Sequence, residues 1–321
     1  MYAGVDVGAT NLRAVVADVD GRILGQDRRP TPHGEGGIAV TEAVLDTLRA
    51  ACATADTIPN RLQAVGIGSM GPLDPAAGVV DHPPNVPGAD RVPLVGPIEK
   101  LADTDRVYLH NDANAGVIAE RFYASEAPDD MVYLTISSGV GAGVCVDGNV
   151  LSGWDGNAGE MGHITLDPDG AMTCGCGVPG HWEAYCAGSN IPDYARLLAD
   201  REDLSTDLPL DDAAFDAADV FAAAGTDPLA DHVIDRLADW NARGFAAIVH
   251  AYAPLVIRVG GAVALNNPGL VLDPVRERLP DLVITNVPEV EMTELGGDVV
   301  VRGAVASAMT NGTGDRARAG R

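Results

Sequence analysis

The residues best equipped for chemistry in this 321-residue chain are His163, Cys174, Cys176 and His181, the last three within the stretch TCGCGVPGHWEAYC. Two thiolates and two imidazoles suit a tetrahedral Zn²⁺ ion. Gly175, Gly177 and Gly180 permit the sharp backbone that points closely spaced ligands inward. The spacing is not that of a C-x₂-C knuckle, so thiols that merely pack remain the alternative. Five cysteines, odd in number and scattered, speak against a disulfide framework.

Two glycine turns could hold an anion. Asp6-Val7-Gly8-Ala9-Thr10-Asn11 sets an acid at a strand end, ahead of a tight turn with free amides and a hydroxyl, and Thr135 to Gly143 (TISSGVGAG) repeats that chemistry. Amides in such turns bind phosphate oxygens. A ligand-free hairpin would read the same singly, so the pair carries more weight than either turn. Neither holds Gly-Lys-Ser/Thr, and strands rather than helices follow, which excludes Walker and Rossmann loops. Between them, LHNDANA (109–115) runs an apolar strand into Asn111 and Asp112 where a helix should start. Asp112 is there either as the helix N-cap or as a general base, and both roles require exposure.

The elements that must position these groups follow from periodicity. Residues 2–30 read as three strands with Asp20-Gly21 as a hairpin turn, and 36–55 carries apolar residues at helical spacing. Strands are expected at 63–68 and 106–109. From residue 131 the plan of strand, glycine turn, strand, Asp-Gly (Asp147-Gly148), strand begins again. Helices are expected over 183–200, 226–253 and 299–309, and a buried strand over 255–261. The duplicated unit predicts an α/β protein of two lobes with a central cleft. The smaller lobe spans 1–114 with helix 299–310 packing back on it, the larger spans 115–298 with the metal loop 163–181, and 311–321 forms a disordered tail.

Composition narrows the class. The chain is 46% hydrophobic but only 4% aromatic, so small aliphatic residues must fill the core. No run of about 18 apolar residues predicts a membrane span, and the N-terminus has no signal-peptide pattern, which points to a cytoplasmic protein with reduced thiols. The net charge is −25, with Lys100 the single lysine, and the acids are spread along the whole length. Such a surface repels nucleic acid and anionic membranes. It reads as adaptation to high salt, an ordinary acidic protein being the alternative.

Together the motifs resemble the ROK sugar kinases, two-lobed relatives of actin and hexokinase, and among them the glucokinases. The resemblance rests on DVGATNLR, GIGSMGPLD (66–74), NDAN (111–114), TISSGVGAG, GNAGEMGH (156–163), CGCGVPGHWEAYCAG (174–188) and VGGAV (259–263). It implies Asp112 as catalytic base. Gly71, Asn111, Glu160, His163 and Glu183 would bind sugar, and Asp6 would position Mg²⁺ through water. Gly8, Thr10, Asn11, Thr135, Gly139, Gly141, Gly260 and Gly261 would line the nucleotide site. His163, Cys174, Cys176 and His181 would hold a structural Zn²⁺ that pins the loop carrying Glu183.

Two positions depart from the family's pattern: Arg13 stands where lysine is usual, and His181 where a third cysteine is usual. The implied reaction is transfer of the ATP γ-phosphoryl group to a hexose, glucose first and mannose, fructose, allose or an N-acylhexosamine as alternatives, in a homodimer or homotetramer. A sugar-responsive repressor is the rival from another class, but a strand begins at residue 2 where such relatives carry a DNA reader. A noncatalytic sugar-binding protein is the third reading.

Overall fold

The computed structural model describes residues 1–34, 36–83, 86–123 and 128–315. Its strands are β1 (Tyr2–Val7), β2 (Asn11–Ala17), β3 (Ile23–Pro30), β4 (Ala64–Ser69), β5 (Leu73–Asp74), β6 (Val79–Asp81), β7 (Arg91–Pro93), β8 (Val107–Asn111), β9 (Met131–Ile136), β10 (Val140–Val146), β11 (Asn149–Val150), β12 (Val256–Gly260) and β13 (Glu289–Met292). The α-helices are α1 (Gly37–Thr54), α2 (Val95–Ala102), α3 (Asp112–Tyr123), α4 (Glu183–Cys186), α5 (Ile191–Arg201), α6 (Ala217–Ala222), α7 (Pro228–Tyr252), α8 (Ala262–Asn266), α9 (Pro268–Leu282) and α10 (Val299–Met309).

The first sheet has the order β3-β2-β1-β4-β8. β1, β2 and β3 form an antiparallel meander, while β4 and β8 run parallel to β1. β4 is buried along its whole length, as β1 is beyond Tyr2, because helices cover both faces, and such strands read as unbroken apolar and small-residue runs. On one face α1 and α2, the latter through Ile98, pack over Val5, Leu12 and Ile67. On the other, α10 lies so close that a Cβ on Gly66 would come 1.9 Å from the Ala304 carbonyl oxygen. Helix α3 packs with α10 in turn: a Cβ on Gly303 would come 1.8 Å from the Ala115 oxygen. The register sets Val7, Ser69 and Asn111 side by side, so the loops after β1, β4 and β8 leave from one edge.

The second sheet has the order β11-β10-β9-β12-β13, with β12 parallel to β9 and β13. Asp147 and Gly148 turn β10 into β11 with φ of 51° and 72°, both left-handed, as a hairpin of matching twist requires. Two compact units result, one of Met1–Asp129, Gly143–Gly159 and Asp298 onward, the other of Asp130–Ala142 and Glu160–Gly297. Helix α3 therefore belongs with the first sheet, whereas the sequence boundary at 114/115 cuts through it.

The core of the second unit is built on α7, which starts with Asp227 accepting from the Ala230 amide and Pro228 in the first turn. Trp182 is wholly buried against α7: its Nε1 donates to Asn241 Oδ1 at 2.9 Å, and only glycine at 244 leaves room for its ring. Truncating such a side chain costs about 3–5 kcal/mol. Trp182 stands between His181 and Glu183, so this anchor fixes both.

Three readings differ from the sequence. The helix expected over 183–200 is broken into α4 and α5 where Ala187 turns extended. The three-stranded sheet β5-β6-β7 has strands of two or three residues, too short to show a period. The expected disordered tail is tied down at its start: Asn311 Oδ1 accepts from Arg106 Nη2 at 2.8 Å and Tyr108 Oη at 3.2 Å. The rest of that tail, 316–321, lies outside the described residues.

Candidate functional site

His163 ends a short 3₁₀ turn, and Cys174 and Cys176 sit on a tight turn in which the Gly177 amide donates to the Cys174 oxygen at 2.8 Å. Gly180, at φ 78°, brings the chain back beneath the loop, and a Cβ there would come 2.0 Å from the Asp167 oxygen. Asp167 secures the loop by accepting from the Asp169 and Ala171 amides and the Tyr185 hydroxyl. Burial alone would raise its pKa, but these bonds hold it below the ordinary value.

The donor atoms of His163, Cys174, Cys176 and His181 all lie within 4.8 Å of one another. His163 Nδ1 is 3.3 Å from His181 Nδ1 and 3.7 Å from Cys174 Sγ, and Cys176 Sγ is 3.3 Å from His181 Nδ1. Zinc bonds of about 2.0–2.3 Å separate tetrahedral donors by about 3.3–3.8 Å, a range that these three separations match. Burial pushes the Cys174 thiol up to about 12, and burial likewise lowers His181. A thiolate at Cys174 therefore needs a cation beside it. With Nδ1 of His163 turned to the cluster, its Nε2 faces Glu160 Oε2 at 3.8 Å.

Glu183 follows two residues after His181 and begins α4. Its Oε2 accepts from the Val140 amide at 2.9 Å, and its Oε1 lies 3.4 Å from Cys174 Sγ. Two more bonds clamp the β9–β10 turn to the same segment: the Gly188 amide donates to the Ser137 oxygen and Ser189 Oγ to the Ser138 oxygen, each at 2.7 Å. Gly139 lies directly against this carboxylate, since a Cβ there would come 2.7 Å from Glu183 Oε2 and displace it. Thr135 pairs with Gly260, and Gly261, at φ 88°, packs against Ile136, while Gly141 lies in β10. The Ser138 and Gly139 amides make no hydrogen bond within the described residues.

The β1–β2 turn offers a matching pair. The Gly8 amide donates to the Asn11 oxygen at 3.1 Å and Thr31 Oγ1 to the Gly8 oxygen at 2.7 Å, while the Ala9 and Thr10 amides have no partner among the described residues. Asn11 Oδ1 accepts from Arg28 Nε at 3.2 Å. Asp6 is buried and faces Arg13 across the ladder, accepting from its Nε at 2.9 Å and Nη2 at 2.6 Å. Burial raises the Asp6 pKa against the lowering by Arg13.

At the end of β8 the cap position belongs to Asn111, whose Oδ1 accepts from the Ala113 amide at 2.8 Å. Asp112 is the first residue of α3, and its Oδ1 accepts from that same amide at 2.7 Å. Both residues are half-buried. A Cβ on Gly71 would lie 3.5 Å from Asn111 Nδ2. Neighbouring His110 donates to or accepts from Ser307 Oγ at 2.7 Å, and burial lowers its pKa to about 4.

The first unit thus gathers Asp6, Gly8, Thr10, Asn11, Gly71, Asn111 and Asp112 at one edge of its sheet, and the second gathers Thr135, Gly139, Glu160, His163 and Glu183 near the metal cluster. Sequence reasoning missed Gly188, Ser189 and Asp298, whose Oδ1 accepts from Arg13 Nη1 at 3.2 Å. The first two lie in the quoted motif CGCGVPGHWEAYCAG or directly after it, whereas Asp298 has no local signal.

The family model described as ROK family matches residues 2–311. A glucokinase of Pyrobaculum calidifontis is 35% identical over 308 residues, 96% of this chain and 94% of that one. The crystal structure of a ROK hexokinase from Thermus thermophilus is 34% identical with a TM-score of 0.80, covering 96% of this chain and 97% of that one. A ROK family glucokinase from Streptomyces griseus, solved in complex with glucose and AMPPNP, is 31% identical with a TM-score of 0.77, covering 96% and 98%. The mixed α/β, actin- and hexokinase-like fold expected from the sequence is borne out by these neighbours.

Proposed function

The chain belongs to the ROK family, and from that premise we propose that it is a hexokinase that transfers the γ-phosphoryl group of ATP to glucose. The observation that carries this reading is the register that brings the end of β1, with Asp6 and the two open amides of its turn, to the same edge as Asp112. Phosphoryl transfer demands positioning and charge neutralisation more than covalent chemistry. The relatives support the acceptor, since the Pyrobaculum calidifontis protein is a glucokinase and the Streptomyces griseus structure holds glucose.

Asp112 accepts the proton of the attacking hydroxyl, and its place at a strand end supports that role. Asn111, Gly71, Glu160, His163 and Glu183 bind the sugar. Gly8, Thr10, Asn11, Thr135, Gly139, Gly141, Gly260 and Gly261 line the nucleotide, with the amide pairs Ala9–Thr10 and Ser138–Gly139 offered to phosphate oxygens. Mg²⁺ bound with ATP supplies charge neutralisation, and Asp6 orients it through water.

His163, Cys174, Cys176 and His181 hold a structural Zn²⁺, a reading that the donor set supports. With Nδ1 of His163 given to the metal, Nε2 carries the proton and donates to a sugar hydroxyl. The protein works in the cytoplasm as a homodimer or homotetramer, its diffuse acidic surface suited to high salt. Its five free cysteines agree with a reducing compartment. Among the described residues no helix is long and apolar enough to cross a membrane.

A coupled assay with Mg-ATP and glucose in molar KCl, on wild type and Asp112→Asn, tests this. The variant should bind glucose within about twofold of wild type by calorimetry and lose about 10²–10⁴ in kcat. Undiminished turnover in the variant removes Asp112 as base, and a wild type that phosphorylates no hexose overturns the reading.

A further inference from the structure

The acid of the first turn, Asp6, is held by Arg13, and Arg13 in turn by Asp298. Asp6 and Arg13 are direct partners across the antiparallel ladder of β1 and β2, so backbone register brings the carboxylate and the guanidinium to one face. Arg13 Nε and Nη2 both donate to the same oxygen, Asp6 Oδ2, at 2.9 and 2.6 Å. The described residues supply no donor to Oδ1. The third arm of the fork, Nη1, lies 3.2 Å from Oδ1 of Asp298. Asp298 immediately precedes α10, the helix packed on the first sheet.

A point charge could neutralise Asp6, but it could not hold one oxygen with two donors while reaching a second acid. A planar guanidinium can. The arrangement also meets the need of an acid that orients a hydrated cation: its carboxylate must be ionised, unable to rotate, and open at one oxygen. Asp6 is buried with 12% of its side chain exposed, so its rotation is restricted by packing as well as by the fork.

We propose that Arg13 and Asp298 are positioning residues of the phosphoryl-transfer centre. Asp298 anchors the Arg13 guanidinium, Arg13 locks Asp6 through Oδ2, and Oδ1 is presented to water on the Mg²⁺ that accompanies the nucleotide. The proposal rests on the kinase reading above for the identity of the nucleotide. It also explains why arginine serves at position 13: the two ends of its fork span two carboxylates, and α10 thereby becomes part of the support of the first turn.

The test measures Mg²⁺-dependent binding of a non-hydrolysable ATP analogue by calorimetry, together with kcat, KM for glucose and the melting temperature, for wild type, Arg13→Gln, Arg13→Lys and Asp298→Asn. Arg13→Gln should raise the Mg²⁺ concentration for half-maximal analogue binding about tenfold or more, as loss of a partner behind a metal ligand does. It should lower kcat about a hundredfold, with KM for glucose within about twofold.

Arg13→Lys keeps the charge and loses the span, so it should fall between Arg13→Gln and wild type. Asp298→Asn, at an exposed carboxylate whose loss leaves the fold intact, should raise the Mg²⁺ requirement about threefold or less. The melting temperature separates a structural role: variants that melt earlier but keep the wild-type Mg²⁺ requirement and kcat overturn the proposal. So does a wild-type Mg²⁺ requirement in both Arg13→Lys and Asp298→Asn if Arg13→Gln does not fold. Should wild type bind the analogue but phosphorylate no hexose, the kinase reading fails while the binding arms still decide the role of Arg13.

Discussion

The β1–β2 and β9–β10 turns share one backbone plan and are held by unlike means. Each follows a six-residue strand and leaves two successive amides open, Ala9–Thr10 in one and Ser138–Gly139 in the other. The fifth residue of the leading strand is Asp6 in the first case and Thr135 in the second. The charged turn is braced from within its own ladder, by the guanidinium opposite the acid and by Thr31 on the Gly8 oxygen. The neutral turn has no such partner and is braced from outside, through Glu183, Gly188 and Ser189, on the segment that leaves the metal cluster. A repeated fold element thus keeps its geometry while its support changes from an ion pair to the loop that carries the Cys/His cluster.

The sharpest way to break this contrast is to remove the metal. Chelation, or His181→Ala, should raise the apparent KM for both ATP and glucose about tenfold or more, because Glu183 and the clamp on Ser137 and Ser138 lose their anchor. Elemental analysis should find about one zinc per chain in wild type and less in His181→Ala, whereas His181→Cys should retain it. Kinetics unchanged by metal loss would dissolve the distinction between the two turns.

A smaller effect isolates the clamp from the metal. Ser189→Ala removes one hydrogen bond to the second turn and should raise KM for ATP about threefold, leaving KM for glucose and zinc content unaltered. Steady-state kinetics at saturating glucose reads this directly, and an equal rise in both constants would mean that Ser189 does not act on the nucleotide turn alone.

The least effect concerns pH. Burial lowers the pKa of His110 to about 4 in the folded chain, below the 6.5 of an exposed imidazole. The unfolded state therefore binds the extra proton first as pH falls. His110 costs no stability above about pH 6.5 and destabilises progressively between there and about pH 4. Melting temperatures across that window should fall less steeply in His110→Gln than in wild type, and identical slopes would show that the imidazole is open to water.

Local chemistry was legible in the sequence where a contact spans few residues. Both Asp-Gly hairpins, the opening meander, α1 and α10 followed from period and turn residues, and the four residues whose donor atoms cluster within 4.8 Å had been singled out by type and spacing. Partners far apart in the chain were not legible: Asp298 meets Arg13 across 285 positions, and nothing near either residue announces it. Helix α9 was invisible because Pro274 and Pro280 lie within it, where the pattern argues for a stop. At the start of α3 the Ala113 amide is shared by Asn111 Oδ1 and Asp112 Oδ1, which capping preference alone does not foretell, since both residue types cap well. Glu183 was read as a sugar ligand without its bond to Val140, which joins positions 43 residues apart.

The central claim is that the two turns are held by separate devices, one an ion pair and the other a metal centre. Hydrogen exchange of backbone amides, with and without a zinc chelator in the absence of substrates, tests it most directly. The account predicts that chelation speeds exchange at Val140 and Gly188, whose amides bond across the clamp, and leaves the Gly8 amide as protected as before. Equal loss of protection at Gly8 and Val140, or no change at Val140, would contradict it.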